Sequence, residues 1–379
     1  MWRQEYLARR AVQSNDADTY RRSLLGQGAI SVVNLRVEIT NGSTSGTEFI
    51  FDTLDRVEIT ANGGDRILSL RGIELYKYLH FRHKRRPPGN RDQGASNVQY
   101  IEFQIPFGRF SGDPSFYLNS GNFGQLEISV EYSPTISVTT FATGTVTFDL
   151  SVLRWDGRAL PATRGYYRTV EFDIRTTLAS GTHTIDLPTG HDLVGVFVHA
   201  FESGIEDGVD VTDVLLHLDD ERVRIIRSRW LELQELNELE MGIDVQEAGL
   251  GHWNDQDTFE TKVGRMLSFS AEPVQNLTVG TTDYANLSVA SVAGGLLTFD
   301  IQLLDEEAGT GAVADTTLRD YHWQAKGIGV GECVWVPISR WADLEDTLKP
   351  SDFRKATLEL DEGGAGANVR TVPIQLVRP

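Results

Sequence analysis

The sequence repeats itself at a fixed spacing, and this constrains the fold more than any other feature. Residues 53–75 (TLDRVEITANGGDRILSLRGIEL) and 211–233 (VTDVLLHLDDERVRIIRSRWLEL) align without a gap at an offset of 158. They share Asp55/Asp213, Arg66/Arg224, Ile67/Ile225, Arg71/Arg229, Glu74/Glu232 and Leu75/Leu233, six identities in 23 positions. Each copy reads as strand, turn, strand and then a helical stretch, at 73–80 and 230–241, the second stopped by Gly242. Two further blocks follow in the same order. IPFGRF (105–110) matches VPISRW (336–341) through Pro106/Pro337, Arg109/Arg340 and the aromatics Phe110/Trp341. Residues 117–130 match 347–360 through Leu118/Leu348 and Phe123/Phe353, and each copy closes on a strand, TVTFDL or TVPIQL. Three blocks in one order imply a tandem duplication.

The duplicated unit is built of strands. Val33, Leu35, Val37 and Ile39 alternate with polar residues, and Ile101–Phe103–Ile105, Leu126–Ile128–Val130 and Val146–Phe148–Leu150 do the same. These runs are short and bounded by turn residues such as Asn41-Gly42 and Asn62-Gly63-Gly64, the pattern of an antiparallel sandwich or jelly roll. The expected fold is all-β: two tandem eight-stranded antiparallel jelly-roll sandwiches with short flanking helices. Residues 28–158 form the first and 159–379 the second. Between Leu233 and Pro337 lie 104 positions against 31 between Leu75 and Pro106, so the second copy carries about 73 extra residues, within 242–332. So long a segment inside a compact domain is a functional loop or an added subdomain. Residues 1–27 break the strand pattern. They hold five Arg and three acids, and Trp2, Tyr6, Leu7 and Ala11 fit one face of a short helix, so they are expected to form a separate N-terminal arm.

This organisation resembles the double jelly-roll major capsid proteins of tailless icosahedral double-stranded DNA viruses, the lineage of the adenovirus hexon and the coats of membrane-containing phages. The duplicated blocks carry the resemblance, over about residues 30–379. It implies a structural protein, not an enzyme. It implies homotrimers that act as pseudo-hexameric capsomers and tile an icosahedral shell in the virion, after synthesis in the host cytoplasm. The implied partners are other copies of the chain and neighbouring capsomers. Penton proteins, minor capsid proteins or an internal membrane would be met through the arm, at Arg3, Arg9, Arg10, Arg21 and Arg22. The extra segment would be an outward tower or a host-facing loop. The competing reading is a carbohydrate- or receptor-binding tandem sandwich, a spike or lectin-like module, with Trp253, Tyr284, Tyr321 and Trp323 as groove candidates.

Charge narrows the partners. The net charge is -19, with 54 acids and 35 Lys plus Arg, so the surface as a whole repels nucleic acid and no sequence-specific binding to it is expected. Residues 80–92 are the exception, with five cations and Asp92. They suit a solvated loop, an acidic neighbour, a phosphate or a lipid headgroup. Residues 232–257 carry eight acids and no Lys or Arg. A subunit contact would therefore set Arg82, Lys84, Arg85 and Arg86 against Glu235, Glu238 and Glu240. The acidic turn at 202–213 reads as solvated in preference to calcium-binding, having no EF-hand spacing. Cys333 is the single cysteine, so no intrachain disulfide forms, and no HExxH, GxSxG or P-loop motif is present. No cofactor, metal or catalytic residue is expected. The chain has no apolar stretch long enough to span a bilayer and reads as soluble.

Overall fold

The computed structural model describes residues 1–26, 28–43, 48–155, 157, 162–202, 205, 207–242, 245–253, 257–260, 263–273, 284–293, 296–304, 319–339 and 347–379. Strands are numbered in chain order. The first jelly roll pairs two sheets. One, the β3 sheet, runs β1 (Trp2–Gln13), β9 (Phe141–Trp155), β3 (Ala29–Asn41), β6 (Val98–Pro106), with the short β7 (Leu118–Asn119) beside β3. The other, the β4 sheet, runs β2 (Asp18–Ser23), β8 (Leu126–Tyr132), β4 (Leu54–Ala61), β5 (Asp65–Leu70).

The second jelly roll repeats this order. Its β13 sheet runs β10 (Tyr166–Val170), β24 (Asn368–Val377), β13 (Asp192–Phe201), β22 (Cys333–Pro337), with β11 (Asp173–Thr176) against β24. Its β14 sheet runs β12 (Gly181–Asp186), β23 (Ala356–Glu362), β14 (Val211–Leu218), β15 (Val223–Arg229). The helix α1 (Gly72–His83) follows β5, and α2 (Trp230–Met241) follows β15. The three repeated sequence blocks thus stand at equivalent places in the two halves. Arg340 and Trp341 lie outside the described residues.

Alternation along the strands fills each sandwich. Val33, Leu35, Val37 and Ile39 of β3 share a core with Val57, Ile59, Ile128 and Val130 of the facing sheet. A separate core in the second jelly roll joins Val196 and Val198 to Leu216, Leu358 and Leu360. The two sandwiches are welded edge to edge. Strand β10 pairs antiparallel with β24 and parallel with β5, through Thr169↔Leu68 and Val170↔Ser69, so one nine-stranded sheet crosses both halves. The outward side chains of the β13 sheet (Val194, Phe197, Trp335, Val372, Ile374, Leu376) belong to the first jelly roll's core cluster, not to the second's. Gly195 is required there, because a Cβ would come within 2.1 Å of the Trp335 ring. A buried aromatic removes about 150–250 Å² from water, so Phe197 and Trp335 contribute up to about 4–6 kcal/mol each to this seam.

The extra segment between α2 and β22 forms two three-stranded sheets. One runs β16 (Gln246–Trp253), β21 (Arg319–Val330), β18 (Val263–Pro273); the other runs β17 (Asp257–Glu260), β20 (Leu296–Leu304), β19 (Tyr284–Ala293).

The N-terminal residues correct the expectation of a helical arm. Trp2–Gln13 pairs with β9 and Asp18–Ser23 with β8, so both are edge strands of the first jelly roll. The helix-like spacing has a physical origin. The β1 ladder shifts register between Tyr6 and Ala8 and again between Ala8 and Ala11, and Arg10 takes φ 47°. Bulges break the period of two, so Leu7, Ala8 and Ala11 all reach the core.

Candidate assembly surfaces

Helix α1 positions a buried polar constellation that joins the two jelly rolls. Every residue from Gly72 to Arg82 is buried, so its Glu74 and Lys77 must find partners inside. They find them on the second jelly roll. Lys77 Nζ donates to Glu332 Oε2 at 2.5 Å and to His199 Nε2 at 3.0 Å. That leaves His199 Nδ1 to donate to Glu74 Oε1 at 3.0 Å. Arg370 Nε reaches Glu74 Oε1 at 3.3 Å and its Nη1 reaches Glu171 Oε2 at 2.5 Å, while Arg56 holds the other Glu171 oxygen at 3.1 Å. Burial alone would raise the Glu74 carboxyl, but the His199 hydrogen bond and the charges of Arg370 and Arg71 hold it below its usual range. Nearby, Asp207 accepts from the Glu332 backbone N–H and from Gln234, and burial pushes it up to about 6. Buried ion pairs add little net stability but are costly to break. Here they fix how one jelly roll docks on the other. Of these residues the repeat marks Glu74, as the match of Glu232, and Asp207 falls in the acidic turn, but no partner was assigned to either from sequence. The available signal was Glu74 and Lys77 set one turn apart among Ile73, Leu75, Tyr76, Tyr78 and Leu79.

The basic segment divides. Helix α1 runs three residues past its expected end, so Arg82 is buried, donates to the Gly108 carbonyl and lies 4.5 Å over the Tyr167 ring. His83 Nε2 donates to Gln104 O at 2.7 Å. Arg86 donates to Ala248 O at 2.5 Å. Arg91, 4% exposed, pairs with Glu247, 1% exposed, on β16. The attraction between residues 80–92 and 232–257 is therefore met within one chain by Arg91 and Glu247, a pair not singled out from sequence. A solvated loop is too simple a description for this segment, and Arg82 and Arg86 are engaged in other contacts. Lys84, the left-handed cap of α1, and Arg85 remain exposed at the surface. Beside them a cleft of about 450 Å³ opens on the outer face of the β3 sheet, lined by Asn34, Gln104, Phe110 and Leu153.

Glu235 and Glu240 are exposed and Glu238 half-buried on the outward side of α2, whose inward face is Trp230, Leu233, Gln234 and Asn237. Asn237 pairs its side-chain amide with both the N–H and C=O of Trp335 at 2.8 Å. No single chain contact joins these acids to Lys84 or Arg85 among the described ion pairs. The five arginines assigned to an arm stand exposed along β1 and β2, with Arg9 4.1 Å over the Tyr6 ring.

The remaining candidates resolve as packing. Trp323 is 2% exposed and sits over Arg91, so it does not form an open sugar platform. Trp253, Tyr284 and Tyr321 lie on strands, with side chains outside the described residues. Asn41, a possible glycosylation site by sequon, is buried and donates to Asp92 O and Gly94 O. Asp210, in the acidic turn, is raised to about 6 by burial and by Glu202 beside it. Among the described residues no group of three or more His, Cys, Asp or Glu is arranged to hold a metal.

No family model matches the sequence, and no curated protein matches it. Solved structures do match its fold over the whole chain. The STIV MCP aligns with a TM-score of 0.59 at 11% identity, covering 100% of this chain and 97% of that one. PBCV-1 VP54 gives 0.54 at 8% identity, covering 99% and 94%. The major capsid protein of bacteriophage PM2 gives 0.52 at 10% identity, covering 100% and 98%. The chain therefore has the double jelly-roll fold of these capsid proteins.

Proposed function

We propose that this chain is a structural major capsid protein of the virion, without a catalytic role, and that it assembles as a homotrimeric, pseudo-hexameric capsomer. The observation that carries this reading is the seam between the two jelly rolls. They are joined head to tail, the β5 edge and α1 of the first against the β10 edge and outer β13 face of the second. Such a heterologous contact leaves one bare donor surface and one bare acceptor surface per chain, and repeating it closes a ring when the rotation suits. Three chains supply six jelly rolls for a hexagonal lattice site. The insertion with its two small sheets is then the elaborated tower of each subunit. The acidic balance of the chain suits a shell lattice that does not itself wrap nucleic acid.

Light scattering on the purified chain, with negative-stain imaging, tests the proposal. The expected result is a trimer with six-lobed outline that associates further into sheets or shells. A stable monomer that binds glycans would overturn it and favour a receptor-binding module.

A further inference from the structure

The cleft on the outer face of the β3 sheet is charged in one sense. Arg82, Lys84, Arg85 and Arg109 line it, and among the described residues no carboxylate does. The chain as a whole carries 54 acids against 35 Lys plus Arg, so four cations around one space of about 450 Å³ reverse the prevailing sign. Counting Asp113, which pairs with Arg109 outside the lining, the local balance is 4 − 1 = +3.

The four cations are held in two ways. Arg82 is 7% exposed, donates to the Gly108 carbonyl and lies 4.5 Å over the Tyr167 ring. The Arg109 guanidinium is gripped by both oxygens of the buried Asp113, at 2.8 and 3.1 Å. Their places are set when the chain folds, so an incoming ligand meets two guanidinium groups already ordered. Lys84 and Arg85 are exposed beside the cleft, and no described ion pair engages either side chain. Burial first, and then the charges of Arg82 and Arg85, press the His83 ring on the same wall below its ordinary range.

Guanidinium forks match the oxygens of a phosphate, which offers more acceptors and more charge than a carboxylate. A phosphate group alone would not fill the space. Beside the cations lie Val32, Pro106 and Leu153, and the Phe110 ring, 55% exposed, gives a face for an apolar or planar body. A few converging polar groups beside an apolar wall are the usual make-up of a small-molecule site.

We propose that this cleft binds a phosphate ester, with its phosphate held by Arg82, Lys84, Arg85 and Arg109 and its organic part laid against Phe110. This takes up the phosphate reading of residues 80–92 and does not depend on how the chain assembles. The ester is either a soluble one or the headgroup of a lipid, and the two are separated by experiment.

Calorimetric titration of the full chain with pyrophosphate and with AMP, and pelleting with phosphatidylcholine vesicles with and without phosphatidic acid, form the two arms. Saturable binding is expected in one arm or both; the soluble arm alone identifies a free phosphate ester, the vesicle arm alone a headgroup. Lys84→Asn with Arg85→Gln should weaken that binding roughly 100-fold, about tenfold for each charge-assisted hydrogen bond lost. Asn suits the left-handed cap at residue 84, and both side chains are exposed, so an unchanged melting temperature is expected. Arg21→Gln with Arg22→Gln on β2 removes the same charge from the other sheet and should leave binding within about twofold. A second measurement needs no variant: pyrophosphate or the acidic vesicles should shield Arg85, but not Arg22, from phenylglyoxal, read by peptide mass. No binding tighter than about 1 mM in either arm would overturn the proposal. So would an equal loss in the β2 variant, unshielded Arg85, or a polyglutamate peptide that binds more tightly than pyrophosphate.

Discussion

Arg91 is the residue whose removal should cost the chain most for its size. It lies between α1 and β6 of the first jelly roll, and Glu247 lies on the first strand of the insertion, so their ion pair ties the insertion to the sandwich. Both side chains are sealed from water. The guanidinium carbon sits 4.5 Å from the Phe49 ring centroid, 5.2 Å from Phe51, 5.5 Å from Tyr76 and 5.6 Å from Trp323. The Tyr76 hydroxyl adds a long hydrogen bond to Glu247 Oε1 at 3.4 Å. Burial works against the charge on Arg91, but Glu247 outweighs it and holds the guanidinium more firmly protonated than usual. Arg91→Met keeps the volume and removes the charge. It leaves a carboxylate in an aromatic box, at a cost of about 3–5 kcal/mol. Glu247→Gln strands the guanidinium instead and should cost about as much. The double variant strands neither and should cost less than either single change, giving a coupling energy of more than about 3 kcal/mol.

Thermal and urea unfolding of the four proteins measures this cycle. At about 2–4 °C per kcal/mol for domains of this class, each single change should lower Tm by roughly 6–20 °C. Limited proteolysis should show the insertion cut first. The pH dependence supplies a further check with a fixed sign. Without Arg91, the Glu247 carboxyl titrates higher in the folded chain than in the unfolded one. Folding then favours the protonated form, so the deficit of Arg91→Met should shrink as pH falls and grow as pH rises through the folded value. Single changes costing under about 1 kcal/mol, or a double variant equal to the sum of the singles, would refute the claim that the pair is buried and mutually required.

Two smaller predictions concern the seam between the jelly rolls. Asp207 titrates near 6 in the folded chain against an ordinary 3.8, so its contribution is fullest below about pH 4 and is lost as pH rises through 6. Asp207→Asn should flatten the slope of Tm between those values, leaving the share due to Asp210, and an unchanged slope would count against the assignment. Cys333 is buried and its thiol is pushed well above its usual range by burial. One thiol per chain should react with a maleimide in denaturant and none in native buffer; labelling of the native protein would contradict the packing of β22.

What the sequence exposed and what it hid follow from the range of each effect. The strand–turn–strand–helix block was legible because its signals are local: alternation, the Asn62-Gly63-Gly64 turn, and Gly242, which caps α2 at φ 62°. The edge strands β1 and β2 were not, because bulges in β1 disguise its period. The basic segment was misjudged in part because burial of Arg91 depends on β16 and β21, more than 150 residues further on, and that of Arg82 on Gly108 and on Tyr167 of β10. The closing strands give the sharpest case. TVTFDL and TVPIQL alternate alike, yet Val146, Phe148 and Leu150 fill their own sandwich, whereas Val372, Ile374 and Leu376 turn outward onto the first jelly roll. Alternation reports that one face is buried and cannot report against what.

That ambiguity is itself informative about assembly. A tandem repeat whose copies dock head to tail must diverge at the docking surfaces, since one copy of each is sealed inside the chain and the other is not. The divergence follows that rule. The outer β13 face is apolar and the outer β3 face polar, with Asn34, Arg36 and Gln104 in place of aromatic and branched residues. The β5 edge ends in a buried run, Ile67 to Leu70, under β10, whereas its counterpart β15 keeps Val223 48% and Ile225 37% exposed. Phe81 becomes Leu239, and Lys77, which bonds to Glu332, becomes Glu235, a reversal of charge at the equivalent place. A second jelly roll that merely decorated the first would have no reason to retain a helix with Leu239 and Leu231 in solvent, since such exposure invites aggregation. Under the proposed capsid reading, both apolar side chains beside exposed acids are the compromise expected of a surface that is charged in the free chain and covered in the assembly.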